Sequence, residues 1–375
     1  MYDFDKLTDR SSTYSFKWNR YKGRNIIPAW VADTEFKCAP PIVDAMVERS
    51  RHGLFGYTLP NEYLPAKQAI QRWCRKQYDW DVALDWIVWT PGVVPGFNMA
   101  IQAVSELDDG IIVQSPNYPP LLAAPGINNR TRYEVGNVLE NGRWTLDFEQ
   151  LETHAKRADT KLFILCNPMN PMGGVLTQED LDRVAKICKD NDLVLCSDEI
   201  HCDLILDDLP HIPAGKLSLV EDSSITLMAA SKTFNVAGLG TSFAIIPDAK
   251  LRAKFASAGA GLIPWVNVMG LVATEVAFTQ CDDWHQAELA YLRSNRDYLV
   301  NAINQIHGLS CVSPEATYLL WIDASELGVE DTQKWCEDKG VGPSPGRDFG
   351  NKNCFRINYG CPKSMLEEIV KRLGG

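Results

Sequence analysis

Leu193-Val-Leu-Cys-Ser-Asp-Glu-Ile-His201 and Leu227-Met-Ala-Ala-Ser-Lys-Thr-Phe-Asn235 are the two stretches that decide the fold. Each opens with a short apolar run bounded by small and polar residues, which is typical of a buried strand. The first run leads to Asp198 and the second to Lys232. Ligands of open α/β sheets bind outside the carboxyl ends of the strands, so we expect this carboxylate and this ammonium group to face one cleft.

Further apolar runs alternate with amphipathic stretches through the middle of the chain. The strand-like runs are residues 86–90, 110–114, 161–166, 192–196, 224–229 and 242–247. Helix-like stretches include residues 96–106 and 178–190, and Thr177 with an acidic residue three positions later suggests a capping box before the second. The alternation predicts an α/β fold with a mostly parallel sheet covered by helices on both faces.

The pattern changes from about residue 282 onward. A long helical stretch at 284–306 leads to strand-like runs at 316–323 and 353–358, and a helix closes the chain at 364–373. We therefore predict a large α/β cofactor-binding domain over residues 46–281. Residues 1–45 and 282–375 are predicted to form a smaller, discontinuous α+β domain.

Composition narrows the function classes. The 375-residue chain is 45% hydrophobic and 23% charged, as globular proteins are, and its length predicts two domains. The net charge of −11 argues against nucleic acid and anionic membranes as partners. The eleven cysteines show neither a Cys-x-x-Cys pair nor the spacing of a metal site. We expect reduced thiols, a cytosolic location and no metal.

Two segments bear on targeting. The first ten residues include acidic side chains and lack an apolar core, so we expect no signal peptide. Residues 255–274 carry no formal charge, but Pro264 and Asn267 interrupt a sequence rich in Ala and Gly. We predict a buried helix beside a cleft there rather than a membrane span.

The pairing of Lys232 with Asp198 indicates pyridoxal phosphate. Small neighbours at positions 229–231 predict a partly buried pocket, where desolvation lowers the pKa of the amine. Pyridoxal phosphate needs a lysine for its Schiff base and an acid that keeps its ring nitrogen protonated. Asp198 also suits a metal or a structural role, although companion ligands with metal-site spacing are missing from the sequence. His201 is either a satisfied buried histidine or a donor to the cofactor's phenolic oxygen.

Three loops after strand-like runs add candidate ligands. Two prolines stiffen Asn167-Pro-Met-Asn-Pro-Met-Gly-Gly174, which could hold the Asn170 amide beside a ring oxygen. In Thr90-Pro-Gly-Val-Val-Pro-Gly-Phe97, Gly92 and the helix N-terminus that follows favour an anion. Tyr118 suits stacking on a planar ring. Neither a Gly-x-Gly-x-x-Gly nor a Walker motif occurs, so a nucleotide ligand has little support.

Three more side chains could bind a ligand, although each also has an ordinary structural interpretation. Arg356 is the one guanidinium of the apolar run Phe355-Arg-Ile-Asn-Tyr-Gly-Cys-Pro362. A buried arginine needs a partner, which is either a structural ion pair or the carboxylate of a ligand. Tyr57 and Trp30, taken alone, are ordinary buried aromatics.

Taken together, the motifs resemble the aspartate-aminotransferase superfamily, the fold type I pyridoxal-phosphate enzymes. Asn-Pro-x-Asn-Pro, Ser-Asp-Glu, Ser-Lys and Phe-Arg occur in the family's order, and the resemblance as a whole runs nearly from end to end of the chain. Within the superfamily the chain is most similar to the MalY/PatB-type C–S β-lyases. That likeness adds Tyr2-Asp-Phe-Asp5, Trp-Val-Ala-Asp at Trp30, Phe-Gly-Tyr at Tyr57 and Asp-Glu-Ile-His at Asp198.

The resemblance implies a role for each motif residue. Lys232, as Schiff-base lysine and base at Cα, and Tyr118 are the expected catalytic residues. The residues expected to bind the cofactor are Gly92, Val93, Tyr118, Asn170, Asp198, His201, Ser231, Lys232 and Tyr57. Those expected to bind substrate are Arg356, Trp30 and Asn170, with Arg356 on the α-carboxylate. Tyr57 would reach over from a second subunit, which implies a homodimer with shared active sites.

The activity implied by the resemblance is elimination from a cysteine S-conjugate such as cystathionine, giving a thiol, pyruvate and ammonia with pyridoxal 5'-phosphate as cofactor. An L-amino-acid aminotransferase is the main alternative, because one lysine serves both reactions. A non-catalytic regulatory protein on the same fold is less favoured, because Lys232, Asp198, Asn170 and Arg356 are all present.

The chain departs from the family's pattern at three places. Ala229 stands where a serine is common, and Gly240 stands where aminotransferases often place an arginine that binds phosphate. The stretch Trp30-Val-Ala-Asp-Thr-Glu-Phe36 also differs from the Asp-Met-Asp-Phe motif that is usual in the subgroup. These departures concern the phosphate ligands and the choice of substrate.

Overall fold

The computed structural model describes residues 2–10 and 12–375 of the chain. The strands are β1 (Ile27–Pro28), β2 (Ile87–Thr90), β3 (Gly110–Ser115), β4 (Thr131–Glu140), β5 (Arg143–Leu146), β6 (Thr160–Cys166), β7 (Val194–Asp198), β8 (Ser224–Met228), β9 (Ser242–Ile245), β10 (Leu319–Asp323), β11 (Val341–Gly342), β12 (Ser344–Pro345) and β13 (Cys354–Asn358). The α-helices are α1 (Phe16–Asn19), α2 (Pro40–His52), α3 (Leu64–Tyr78), α4 (Val93–Val104), α5 (Pro119–Ile127), α6 (Phe148–Ala155), α7 (Gln178–Asp190), α8 (Ala249–Ala258), α9 (Val268–Gln280), α10 (Asp282–Ile303), α11 (Thr332–Asp338) and α12 (Lys363–Gly374).

The large sheet has the strand order β2-β9-β8-β7-β6-β3-β4-β5. Strands β8, β7, β6, β3 and β4 pair in parallel, whereas β9 pairs antiparallel with β8 and β2, and β5 pairs antiparallel with β4. The predicted mostly parallel sheet is confirmed, and each of the six predicted runs overlaps one of its strands. Strands β4 and β5 lie outside the predicted runs, because β4 buries little beyond Val135 and lacks an apolar run.

Helix α4 covers the face of the sheet behind the Lys232 strand. Phe97, Ala100 and Ile101 of this helix are buried in a core shared with β6, β7 and β8. A Cβ on Gly96 would come within 2.9 Å of Leu227 Cδ2, so the glycine permits close approach of α4 to β8. This packing brings the N-terminus of α4 to the end of the sheet where β8 leads into Lys232.

Helix α7 packs against the other side, and its predicted bounds are confirmed. The predicted capping box is present: the Asp180 backbone N–H donates to Thr177 Oγ1 at 3.1 Å, and the Thr177 N–H donates to Asp180 Oδ2 at 3.0 Å. The two bonds satisfy backbone donors that the first turn of a helix leaves free.

The C-terminal region forms the antiparallel sheet β10-β13-β12 with α10 and α12, as the predicted runs indicated. The N-terminal arm joins this region, because β1 pairs in parallel with β11 and the Asn358 N–H donates to the Ala29 carbonyl at 2.9 Å. Helix α2, by contrast, packs against α9. The predicted boundary at residue 45 thus falls inside α2, and the division into domains stays a prediction.

The prediction of one buried helix over residues 255–274 is wrong. Helix α8 ends at Ala258 and α9 begins at Val268, and the segment between them exposes Leu262 and Trp265. Glycines and a proline disfavour helix there, and Asn267 starts α9 by accepting the Gly270 N–H at 2.9 Å. Throughout the described residues, no helix is long and apolar enough to cross a membrane.

Candidate active site

A cavity of about 400 Å³ lies at the carboxyl ends of β6, β7 and β8. Cys166 ends β6, Asp198 ends β7, and Lys232 follows β8, so three neighbouring strands deliver one side chain each. The predicted site residues that line this cavity are Trp30, Gly92, Val93, Tyr118, Asn170, Asp198, His201, Ser231, Lys232 and Arg356.

Tyr57 is the predicted site residue that this cavity does not include. Its side chain is fully exposed, and its ring makes an edge contact with Trp265 at 6.4 Å between centroids. An exposed aromatic of this kind is available to a second protein surface.

Lys232 is half-buried, and its Nζ donates a hydrogen bond to the Ala32 carbonyl at 2.6 Å. Burial lowers the pKa of the Lys232 amine from 10.5 to about 8, while nearby Asp33 raises it and Arg356 lowers it. At pH 7 such a pKa gives roughly 300 times more neutral amine than an ordinary lysine has. The side chain can therefore act as a nucleophile and a base near neutral pH.

Asp198 is buried, and the Ile200 backbone N–H donates to its Oδ1 at 3.1 Å. Burial raises the pKa of the Asp198 carboxyl to about 6, although the Ile200 hydrogen bond and the charge of Lys232 both lower it. A cationic N–H placed beside the carboxylate would favour its ionised form. The position suits a protonated ring nitrogen.

His201 is buried beside the Tyr318 ring, with centroids 6.0 Å apart. Burial, together with the charges of Lys232 and Arg356, lowers the pKa of His201 well below 6.5, so the imidazole is neutral. Its Nδ1 is buried and has no hydrogen-bond partner among the described residues. One ring nitrogen is thus available to a ligand.

Arg356, on β13, is a buried cation without a counterion. Its guanidinium donates to Asn170 Oδ1 at 2.7 Å, to the Trp30 carbonyl at 2.6 Å and to Ser344 Oγ at 3.1 Å. No carboxylate of the described residues lies within ion-pair distance, and its Nε is buried without a partner. Burial lowers the pKa of Arg356 to about 10. Of the two roles left open for this arginine, the geometry favours an anionic ligand over a structural ion pair.

The Asn-Pro loop fixes Asn170 beside Arg356. The side-chain oxygen of Asn170, Oδ1, accepts the Arg356 hydrogen bond, which leaves the side-chain NH₂ of Asn170 available as a donor. Gly173 closes the loop at φ +71°, where a Cβ would come within 2.4 Å of Pro314 and 2.7 Å of the Ala316 carbonyl. Only glycine fits this turn, so the loop is held against the C-terminal region.

The N-terminus of α4 provides backbone donors at the opposite wall. Gly92 precedes the helix and Val93 opens it, with no side chain capping the free N–H groups. Thr241 and Ser242, which the sequence did not single out, also line this cavity, and their hydroxyl groups donate to the Leu239 and Thr90 carbonyls. Serine and threonine at the start of a strand are too common to be a signal on their own. The N-terminus of α4, which lacks a side-chain cap, suits a phosphate.

The segment of residues 30–36 contributes mainly through backbone carbonyls. The Trp30 carbonyl accepts from Arg356 and from Ser344 Oγ, and the Ala32 carbonyl accepts from Lys232 and from the Tyr318 hydroxyl. The sequence predicted the Trp30 side chain but not these contacts, because a backbone acceptor leaves no trace in residue identity.

Buried ion pairs hold this segment in place. Lys17 Nζ lies 2.7 Å from Glu35 Oε1 and 3.6 Å from Asp33 Oδ1, and Arg10 contacts the same two carboxylates. Glu35 therefore stays ionised, because Lys17 and Arg10 overcome the effect of burial and lower its pKa. The network fixes the two carbonyls that receive Lys232 and Arg356.

Comparison with known proteins identifies the family. The family model for aminotransferase class I and II matches residues 30–373. The chain belongs to this family. Cystathionine beta-lyase PatB of Bacillus subtilis is 34% identical over 99% of this chain and 98% of PatB.

Two solved structures agree closely with this one. The crystal structure of OvoB has a TM-score of 0.96 and 42% identity, covering 99% of this chain and 98% of that one. A PLP-bound C-S lyase from Staphylococcus hominis has a TM-score of 0.92 and 30% identity, covering 100% and 97%. The predicted fold type I architecture is confirmed by these neighbours.

Proposed function

We propose that this aminotransferase-family protein is a pyridoxal-phosphate-dependent C–S β-lyase, which converts a cysteine S-conjugate into a thiol, pyruvate and ammonia. The observation that carries the proposal is the shared cavity of Lys232 and Asp198. A lysine with a pKa of about 8 and a buried carboxylate stand at the ends of adjacent strands. The names of the related PatB and of the C-S lyase structure support a lyase over other activities of the family.

The side chains of the cavity fit pyridoxal phosphate. Asp198 would hold the ring nitrogen, the free amide NH₂ of Asn170 and the unpaired nitrogen of His201 suit the phenolic oxygen, and Tyr118 would stack on the ring. The phosphate would lie on the N–H groups of Gly92 and Val93 with the Ser231 hydroxyl nearby, and Lys232 would form the covalent link. When bound, the cofactor supplies a conjugated ring that accepts the electron pair left at Cα.

Arg356 would orient the substrate. Its unpaired Nε and its charge suit a bidentate contact with the α-carboxylate, and the hydrogen bonds to Trp30 and Asn170 hold the guanidinium in position. Binding by this group places Cα at a fixed position relative to Lys232, which is how positioned groups accelerate a reaction.

Once the substrate amine has taken the place of Lys232 on the cofactor, the freed Lys232 amine would remove the proton from Cα. Its low pKa provides the neutral amine at neutral pH, and the Ala32 carbonyl offers a resting acceptor for Nζ when the amine carries the proton. The Cβ–S bond breaks with its electron pair going to sulfur, and the thiolate leaves. The released aminoacrylate hydrolyses to pyruvate and ammonia. We propose Tyr118, whose pKa burial raises, as the second catalytic residue at the ring face.

Pyruvate release tests the proposal. Purified protein loaded with pyridoxal phosphate is expected to form pyruvate from cystathionine and other cysteine S-conjugates, whereas Lys232→Ala is expected to form none. Lys161→Ala, which changes a half-buried lysine on β6 outside the cavity, is the matched control. Cofactor-loaded protein that releases no pyruvate from any cysteine conjugate would contradict the proposal.

We further infer a cytosolic homodimer. Exposed Phe55, Tyr57, Leu262 and Trp265 form apolar surface of the kind that protein interfaces cover, and Tyr57 from one subunit would complete the cavity of the other. The cysteines are all free in the described residues, which suits a reducing compartment. The division into residues 46–281 and the remainder is part of the same proposal.

A further inference from the structure

The mouth of the active-site cavity carries a second guanidinium that the proposed reaction does not use. Arg20 lines the cavity together with Phe16, Trp30 and Phe349. Its guanidinium carbon lies 4.6 Å from the centroid of the Trp30 ring, a cation–π contact that restricts an otherwise exposed side chain. Arg20 is thus held at the entrance.

The charge of Arg20 is not neutralised within the protein. Among the described residues, no carboxylate lies within ion-pair distance of its nitrogens. Asp33 and Glu35, which follow Trp30 in the chain, pair with Arg10 and Lys17 instead. Asp348 lines the same cavity but makes no ion pair with Arg20. An unpaired guanidinium at a cavity mouth favours an anionic ligand.

Trp30 connects this cation to the one deeper in the site. Its carbonyl accepts from Arg356, and its ring carries Arg20. The surface beside it is aromatic, since Phe16 contacts the Trp30 ring at 4.7 Å and Phe349 lies 4.8 Å from the Arg356 guanidinium. Two cations at opposite ends of an aromatic wall favour a ligand with one carboxylate at each end and a less polar linker between them.

We propose that Arg20 binds a carboxylate on the leaving thiol, so that cysteine S-conjugates with a carboxylated leaving group are the preferred substrates. The inference rests on the proposed lyase function, because that function assigns the α-carboxylate to Arg356. The sulfur and its methylene groups then lie along the aromatic wall of Trp30, and the distal carboxylate reaches Arg20. Arg20 determines specificity and takes no part in the proton transfer.

Binding of ligands that cannot be cleaved tests this step independently of turnover. In 2-aminopimelate a methylene replaces the sulfur of S-(2-carboxyethyl)cysteine, and 2-aminoheptanoate lacks the distal carboxylate. Calorimetry on the holoenzyme is expected to show about tenfold tighter binding of 2-aminopimelate, the size of a charge-assisted contact. Arg20→Gln should remove this preference, and Arg20→Lys should keep part of it because the charge remains.

Kinetics provide the second measurement. Wild-type kcat/KM is expected to be about tenfold higher for S-(2-carboxyethyl)-L-cysteine than for its uncharged amide, S-(2-carbamoylethyl)-L-cysteine. Arg20→Gln should bring the ratio close to one. Lys22→Gln, which removes a neighbouring exposed cation outside the cavity, should keep the wild-type ratio.

The outcomes separate the two proposals. If the wild type binds 2-aminopimelate and 2-aminoheptanoate equally tightly, the proposed role of Arg20 is overturned, even where pyruvate is formed. The role of Arg20 is also overturned if Arg20→Gln lowers kcat/KM equally for the carboxyethyl and carbamoylethyl conjugates, so that the ratio of the two values stays as in the wild type. A preference in binding without pyruvate from any conjugate supports Arg20 as a carboxylate ligand and contradicts the lyase function instead.

Discussion

Arg356→Met removes a buried cation from the candidate active site while keeping an unbranched side chain. Burial lowers the pKa of Arg356 from 12.5 to about 10. That difference corresponds to a cost of roughly 3 kcal/mol for holding the charged form in the folded protein. The variant escapes this cost, but it also loses the hydrogen bonds to Asn170, Trp30 and Ser344.

The two effects on stability nearly cancel. Three hydrogen bonds contribute about 1 kcal/mol each, so we expect the free energy of unfolding to change by less than about 2 kcal/mol. The reaction has no such compensation, because a substrate carboxylate would lose its bidentate partner. A loss of about 3 kcal/mol in transition-state binding lowers kcat/KM roughly 100-fold.

Urea unfolding and steady-state pyruvate release, measured in one buffer, test both halves. Arg296→Met is the matched control: Arg296 is also buried but pairs with Asp207 and Asp297. That control is expected to lose more stability and to retain kcat/KM in the folded protein. An Arg356→Met variant within fivefold of wild-type kcat/KM, or one that no longer folds, would refute the reasoning.

Three further predictions concern groups inside and outside the site. The rate at which apoprotein takes up pyridoxal phosphate should rise with pH with a midpoint near 8, where half of the Lys232 amine has lost its proton, and level off about one pH unit higher; a midpoint near 10 contradicts the effect of burial on its pKa. Glu288 is buried with both oxygens unpartnered among the described residues, and burial raises its pKa well above 4.5. Because the unfolded chain releases this proton at lower pH than the folded protein, stability should fall by up to about 1.4 kcal/mol per pH unit above pH 4.5. Urea unfolding of Glu288→Gln at pH 5 and pH 7.5 should show that component removed, and an unchanged slope would count against it. Mixing inactive Lys232→Ala with Tyr57→Ala protein should restore pyruvate release through hybrid dimers with one intact site; no recovery after subunit exchange is confirmed would exclude a shared site.

The sequence predicts a feature of the fold well when that feature depends on the residues of a single strand or helix. Apolar runs predicted the strands leading to Asp198 and Lys232, and the spacing of Thr177 and Asp180 predicted a capping box that the structure confirms. The prediction for residues 255–274 was wrong because the absence of charged residues does not distinguish a buried helix from a loop between two helices.

The candidate site depended on contacts that cross the whole chain, and these were less accessible. Arg356 could be singled out as a lone guanidinium, but its lack of a counterion is a property of the folded protein. The carbonyls of Trp30 and Ala32 come from a segment far from Lys232 in sequence, and main-chain acceptors carry no residue signature. The sequence did not single out Arg20, because its proposed role depends on its position at the mouth of the cavity, which only the folded structure shows.

The product balance of the purified, pyridoxal-phosphate-loaded protein distinguishes a C–S β-lyase from an aminotransferase. With cystathionine and a 2-oxo acid present together, we expect equal amounts of thiol and pyruvate and no amino acid formed from the 2-oxo acid. Amino-group transfer to the 2-oxo acid, with thiol and pyruvate absent, would contradict it and identify the protein as an aminotransferase.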